Sequence, residues 1–178
     1  MKMERKTREV LITAELSEKE QRIETGDPVF DHMLTSLFFY MQKGARIKAT
    51  WDLRHHLWED TGLVIGSLLS EYAKGQNVNR FGNAIMPMDD ALVLVSVDLS
   101  RSFLMFDLEF PSGEGFEPSL VKEFFQAFSR SYPATIHVKK LAGFDPHHIC
   151  EASFKAFGVA LKEALKPSSR VESTKGEI

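Results

Sequence analysis

The sequence predicts an α+β protein made of two similar halves, each a β-sheet with two helices. Strand-like and helix-like hydrophobic patterns alternate along the 178 residues, and one histidine-rich motif occurs twice, at His55–Glu59 and at His147–Glu151. Matching positions of the motif are 92 residues apart, and the same offset pairs Gly66 with Gly158. An internal duplication explains this offset. We therefore expect one domain, residues 1–178, with repeat halves at approximately 1–85 and 86–178.

Four amphipathic helices are predicted from apolar residues at helical spacing and from the residues that flank each apolar segment. Asp27 and Pro28 are suited to begin the first helix, and Lys43-Gly44 to end it. The other three are predicted from His55 to Lys74-Gly75, from Ser119 to Phe128, and from about His147 to Leu165.

Strands are predicted between the helices, where apolar and β-branched residues alternate with polar ones. They cover residues 10–16, 46–51, 91–98, 103–110 and 135–138. Loops at 80–82 and 111–115 separate these groups, and the span around 82–92 is expected to join the two halves.

Composition and charge exclude several classes of protein. With 43% hydrophobic and 26% charged residues, the chain is that of a globular protein with a substantial core. A net charge of −3 gives no electrostatic case for a nucleic-acid partner. No signal-peptide core and no apolar run of about 18 residues are found, so we expect neither secretion nor a membrane span. Cys150 is the single cysteine, which suits a reducing compartment and predicts a cytoplasmic location.

The histidines lie on helix faces that are suited to bind metal. At 100° per residue, His55 and Glu59 lie opposite the apolar stripe of their helix, and His147 and Glu151 repeat this placement. His32 likewise lies opposite the stripe of the first helix. All five side chains are expected to point away from the core. A His and a Glu at i and i+4 can bind one ion together.

The second histidine of each motif, His56 or His148, is rotated by about 100° and cannot easily reach the same ion. Two ions per active unit are therefore predicted, and the donor types favour Mn, Fe, Co or Zn over Mg or Ca. Another surface must complete each site. It is either the other half of the chain or another subunit, and we favour a symmetric subunit interface. The predicted metal ligands are His32, His55, His56, Glu59, His137, His147, His148 and Glu151.

A series of short motifs runs through almost the whole chain. They are Thr25-Gly26, Phe30–Leu34, His55–Asp60, Arg80–Gly82, Pro87–Leu92, Asp98–Ser100, Gly143, His147–Ala156 and Ser173–Gly176. In this order they resemble the imidazoleglycerol-phosphate dehydratase family of histidine biosynthesis. The resemblance implies a duplicated fold like domain 2 of ribosomal protein S5, and dehydration of imidazole glycerol phosphate to imidazole acetol phosphate. It also implies two Mn²⁺ ions per active site, at subunit interfaces of a 24-subunit homo-oligomer.

The resemblance also implies roles for individual residues. The catalytic candidates are Glu9, Asp89, Glu151 and Lys155, with Glu9 first as acid or base and Glu151 mainly as a metal ligand. Phosphate binding is expected at Arg80, Arg101 and the tail residues Ser173, Thr174 and Lys175, which would act as a lid. The remaining substrate contacts are expected from His32, His55, Glu59, Glu9 and Lys155.

Some residues depart from the family pattern. Arg54 stands where an acid usually precedes the first histidine pair, and Asp27-Pro28 stands where the family usually has Ile-Gly. Two alternative functions stay open. A divergent homologue would use the metal sites for assembly or metal binding without dehydratase activity, and a dimetal hydrolase would use similar ligands. The sequence has no HExxH motif and no Asp-rich phosphatase cluster in support of a hydrolase.

Overall fold

The computed structural model describes residues 1–18 and 20–176. The described residues form eight strands and four helices in a repeated order. These elements are β1 (Lys2–Lys6), β2 (Val10–Ser17), β3 (Arg22–Glu24), α1 (Pro28–Met41), β4 (Gly44–Trp51), α2 (Arg54–Ala73), β5 (Phe81–Met88), β6 (Ala91–Asp98), β7 (Phe103–Asp107), α3 (Pro118–Ser131), β8 (Thr135–Ala142) and α4 (Pro146–Ala164).

The strands form two four-stranded mixed sheets of the same topology. The strand orders are β1-β2-β4-β3 and β5-β6-β8-β7. In each sheet the last pair is parallel, β3 with β4 and β7 with β8, and a helix, α1 or α3, crosses over between them. The predicted α+β fold with two repeated halves is therefore confirmed.

The helices pack against each other across the two halves, α1 on α4 and α2 on α3, while α2 and α4 also cover the sheets of their own halves. Two glycines at the 92-residue offset let these helices approach. A Cβ on Gly158 would lie 2.4 Å from the carbonyl oxygen of Leu37, and one on Gly66 would lie 2.9 Å from that of Phe128. The two glycines of the sequence repeat therefore occupy matching positions in the two helix crossings, α2 with α3 and α4 with α1.

Three strands were missed in the sequence, and one was predicted too long. β1 is rich in charged residues, β3 has only three residues, and β5 covers a span that was expected to be a loop and a connection between the halves. β7 ends at Asp107 and does not continue to Phe110, because Leu108 and Phe110 leave the sheet to be buried in the core. Among the described helices, none has the length and hydrophobicity that crossing a bilayer requires.

Candidate metal centre

α1 and the first turns of α4 bring three possible metal ligands to one point. Asp145 caps α4 at its N-terminus, and His147 and Glu151 follow on one face of the helix, one turn apart. The Nε2 atoms of His147 and His32 lie 3.0 and 2.9 Å from Oε2 of Glu151. We call His32, His147 and Glu151 the first cluster.

The spacing of the first cluster fits a divalent metal ion. Two ligand atoms about 2.1 Å from one ion, and at right angles to each other, lie about 3 Å apart. All three ligand atoms are within 4.8 Å of one another. Two imidazole nitrogens and a carboxylate oxygen are suitable donors for Mn, Fe, Co or Zn. The residues therefore fit the ion that the sequence predicts.

Lys155 holds the other oxygen of Glu151, with Nζ 2.8 Å from Oε1. The prediction that Glu151 points away from the core is wrong, since its side chain is only 8% exposed. The helical wheel considers α4 alone, whereas His32 of α1 and Lys155 approach the carboxylate in the fold. Burial opposes its charge, but hydrogen bonds from Lys155 and His32 outweigh burial and lower the pKa of Glu151 below its ordinary value.

A second cluster lies where α2 packs on α3. Nε2 of His55 is 3.6 Å from Oε2 of Glu59, and Glu123 of α3 adds a carboxylate within 4.8 Å of both. Arg130, also on α3, donates from Nη2 to Oε1 of Glu59 at 2.9 Å. We call His55, Glu59 and Glu123 the second cluster. Sequence reasoning missed both Glu123 and Arg130.

The 92-residue offset of the motifs does not locate Glu123, whose place becomes visible only from the repeated helix contacts in the structure. Gly158 contacts Leu37 of α1, and its repeat partner Gly66 contacts Phe128 of α3, 91 residues further along the chain. The same 91-residue offset takes His32 to position 123. Glu123 therefore holds, in the α2–α3 pair, the place that His32 holds in the α1–α4 pair.

His56 and His148 are turned away from the two clusters and are held by carboxylates. Nδ1 of His56 lies 2.7 Å from Asp52, and Nδ1 of His148 lies 2.7 Å from Asp90. These hydrogen bonds raise the pKa of both histidines. Backbone N–H groups near the start of α4, together with His148, lower the pKa of Asp90 to about 2. A histidine with Nδ1 held by a carboxylate presents Nε2 for metal binding.

Two predicted acid–base residues lie beside these histidines. Oε2 of Glu9 is 3.9 Å from Nδ1 of His56, and Oδ2 of Asp89 is 3.3 Å from Nε2 of His148. Asp89 lies in the turn between β5 and β6, where its φ of 45° is left-handed. Each of these carboxylates therefore lies close to a histidine that is a predicted metal ligand.

His137 lies apart from the other predicted ligands. It is in the middle of β8, paired with Ser96 and Met105, and its ring centroid is 5.8 Å from that of Phe103. In the described part of the chain it joins neither cluster. Beside polar side chains such as Lys139 and Asp107, the second sheet exposes several large hydrophobic side chains. These are Phe81, Ile85, Phe103 and Leu141.

Arg80 and the tail form an open cavity of about 650 Å³, which Ser173 and Thr174 also line. The guanidinium of Arg80 donates to Asp98 at 2.6 and 3.0 Å and to the carbonyl of Glu172 at 2.9 Å. The hydrogen bonds with Asp98 raise the already high pKa of Arg80, so it is a permanent cation. The predicted phosphate residues Arg101 and Lys175 do not line this cavity.

Comparison with known proteins identifies the family of this chain. The family model described as imidazoleglycerol-phosphate dehydratase matches residues 25–161. The chain belongs to the imidazoleglycerol-phosphate dehydratase family. A relative of that name from Pyrococcus furiosus is 53% identical over 99% of this chain and all of its own length, and one from Caldicellulosiruptor saccharolyticus is 38% identical over 99% of this chain and 96% of its own.

Solved structures of the imidazoleglycerol-phosphate dehydratase family have the same fold. The crystal structure of IGPD from Pyrococcus furiosus in complex with (S)-C348 is 52% identical with a TM-score of 0.94, covering 99% of this chain and 100% of that one. The enzyme from Staphylococcus aureus is 33% identical with a TM-score of 0.83, over 94% of this chain and 100% of its own. The family match includes both clusters, whereas Glu9 and residues 173–175 lie outside it.

Proposed function

We propose that the protein is a metal-dependent dehydratase that converts imidazole glycerol phosphate to imidazole acetol phosphate and water in histidine biosynthesis. The observation that carries this proposal is the convergence of His32, His147 and Glu151 from opposite halves of a chain of this family. The relatives' names supply the reaction, and the cluster supplies the chemistry that the reaction needs. We propose a cytoplasmic location, as expected for a chain with one buried cysteine.

Two Mn²⁺ ions per active site would each receive three imidazoles and one carboxylate. The first cluster offers two imidazoles and Glu151, and the second offers His55 and Glu59. The first set therefore lacks one imidazole and the second lacks two. The three remaining predicted ligands, His56, His137 and His148, are enough to supply these three imidazoles. When bound, the ions withdraw charge from the imidazole ring of the substrate, so that a carbon-bound proton can be removed without help from a carbonyl group.

A second copy of the chain would supply the missing histidines. His56, His137 and His148 join neither cluster within one described chain, so an intersubunit arrangement satisfies both sets. The exposed hydrophobic side chains of the second sheet, which include Phe103 next to His137, support this because exposed apolar surface favours association. We propose a homo-oligomer, of 24 subunits by family resemblance, with the metal sites at subunit interfaces.

The chain's own residues would move the protons and bind the phosphate. Glu9 is the first candidate to take the proton from the carbon that keeps its oxygen and to return one to the carbon that loses hydroxide. Asp89 and Lys155 would orient the diol or assist this transfer. Arg80, Ser173 and Thr174 would bind the phosphate in their shared cavity, and Arg101 and Lys175 would join them through the assembly or through closure of the tail.

The test is an assay for imidazole acetol phosphate with Mn²⁺-loaded and metal-stripped protein. We expect turnover only in the loaded form. Glu59→Gln should reduce both bound metal and turnover, whereas Glu71→Gln, which alters a more exposed carboxylate of the same helix, should change neither. Metal uptake and assembly without any turnover would reject the dehydratase and favour the alternative of a purely structural or metal-binding homologue.

A further inference from the structure

The segment before α3 places an aromatic ring on a candidate metal ligand. The phenyl ring of Phe116 lies 4.9 Å from the imidazole of His147, measured between ring centroids, with 14° between the planes. This is a stacked pair. Phe116 is buried, while the residues just before it in the chain are exposed or partly exposed. The mechanism described above does not use Phe116.

A tight turn fixes the backbone of Phe116. Gly113 and Phe116 each donate a backbone hydrogen bond to the other, at 3.1 and 2.8 Å. The two residues between them, Glu114 and Gly115, have φ angles of 52° and 86°. Two successive left-handed residues are the signature of a type I′ turn, which reverses the chain sharply. The turn therefore determines where the phenyl ring can lie.

Arg54, at the start of α2, holds the turn on both sides of Phe116. Its Nη2 donates to the carbonyl oxygen of Gly115 at 2.9 Å, and its Nη1 donates to Glu117 at 3.2 Å. Its Nε donates to Asp27 at 2.8 Å. The planar fork of a guanidinium satisfies these three acceptors at once, which a lysine cannot do.

Asp27 connects this arrangement to the helix that carries His32. It is buried, and its Oδ1 caps α1 by accepting hydrogen bonds from the backbone N–H groups of Val29 and Phe30, at 3.1 and 3.3 Å. Its Oδ2 accepts from Arg54 and also from Trp58 at 3.1 Å. Two of the departures from the family pattern, Asp27 and Arg54, are therefore partners in one ion pair.

His147 lacks the orienting contact that His56 and His148 have. Carboxylates orient His56 and His148 through Nδ1, but no hydrogen bond in the described residues reaches Nδ1 of His147. Its Nε2 contact with Glu151 fixes one direction within the ring plane. A ring stacked on the imidazole fixes the plane itself, so the two contacts together define where Nε2 points.

We propose that Phe116, held by Arg54 and Asp27, is a positioning residue that orients His147 for metal binding. The inference rests on the proposed metal centre. The ion pair, the turn and the stacked ring together do for His147 what a carboxylate does for His56 and His148. Neither Arg54 nor Asp27 contacts the ion in this arrangement, and their effect passes through the ring.

The test compares Mn²⁺ affinity, measured by isothermal titration, in the purified oligomer and its variants. Phe116→Leu keeps an apolar side chain and removes the ring, and we expect about tenfold weaker binding or more, the range typical of lost outer contacts to a ligand. Phe116→Tyr keeps the ring and should restore the wild-type affinity. Arg54→Lys should weaken binding, whereas the control Arg46→Lys, at a more exposed ion pair on the first sheet, should not.

Two further measurements separate positioning from general instability. The melting temperature of each metal-free variant reports stability, and the visible absorption spectrum of the Co²⁺-loaded form reports coordination geometry. We expect an altered spectrum for Phe116→Leu and the wild-type spectrum for Phe116→Tyr. Wild-type affinity and spectrum in Phe116→Leu, or affinity that follows melting temperature regardless of the ring, would overturn the inference. Failure of the wild-type protein to bind Mn²⁺ would instead overturn the proposed metal centre on which it rests.

Discussion

Replacing Gly158 by alanine tests whether the crossing of α1 and α4 sets the geometry of the first cluster. α1 carries His32, and α4 carries His147 and Glu151. A Cβ at position 158 would lie 2.4 Å from the carbonyl oxygen of Leu37, which is 1.0 Å closer than the 3.4 Å at which ordinary contact begins. The contact is with backbone, so no rotamer change relieves it and the two helices must separate.

The two effects of this substitution have opposite signs. Alanine is favoured over glycine inside a helix by about 1 kcal/mol. Overpacking costs about 1–3 kcal/mol, and a clash with backbone belongs at the upper end. The net loss is therefore about 2 kcal/mol, which for a chain of 178 residues lowers the melting temperature by about 4–8 °C. Metal sites tolerate ligand displacements of about 0.2 Å, so even part of the 1.0 Å separation should weaken binding.

Thermal unfolding of the metal-free protein and titration with Mn²⁺ measure the two consequences separately. We expect Gly158→Ala to melt lower and to bind Mn²⁺ more weakly than the wild type. Lys162→Ala is the control, because it adds an alanine to the same helix at a partly buried side chain that belongs to neither cluster. A melting temperature for Gly158→Ala at or above the wild-type value, as helix propensity alone predicts, would refute the reasoning.

Three other outcomes are expected. Burial opposes the charge of Asp27, but hydrogen bonds from Arg54 and Trp58 outweigh it and lower its pKa. Asp27→Asn, which preserves a helix cap, should therefore destabilise the protein in urea titrations at neutral pH. The difference should shrink as the pH falls below about 4, and a difference unchanged at pH 2 would contradict this. Mn²⁺ at 100 times its Kd should stabilise the stripped wild-type protein by about 2.7 kcal/mol in thermal unfolding, and no shift would count against the metal centre. Because burial raises the pKa of the Cys150 thiol, iodoacetamide should label it far more slowly in native than in urea-unfolded protein, and equal rates would show that it is accessible.

Features that depend on local contacts were predictable from the sequence. The i, i+4 pairing of His147 with Glu151 depends only on helix geometry, and the side chains do meet, at 3.0 Å. The duplicated fold was also predictable, because each half repeats the same order of hydrophobic patterns. Whether these residues bind metal stays a prediction, since geometry gives the donors but not the ion.

Contacts between distant elements were not predictable from patterns within single elements. Arg130 reaches Glu59 across 71 residues, and Arg54 reaches Glu117 across 63. A helical wheel cannot detect either contact, because it assigns each side chain to core or solvent from one helix alone. The predicted exposure of Glu151 was wrong for the same reason, because a partner helix covers a face that the helical wheel assigns to solvent.

The two clusters differ in ways that the duplication makes interpretable. The repeat places Glu123 where the first cluster has His32, so the second cluster lacks an imidazole that the first one has. This deficit is why the proposed second set would need two histidines from elsewhere, and His137, on β8, would complete the count. The carboxylates are also held differently. Glu151 pairs with Lys155, which is 17% exposed, and Glu59 pairs with Arg130, which is 49% exposed. Of two sites with a common origin, the first therefore has the more buried carboxylate, since Glu151 is 8% exposed and Glu59 is 30% exposed.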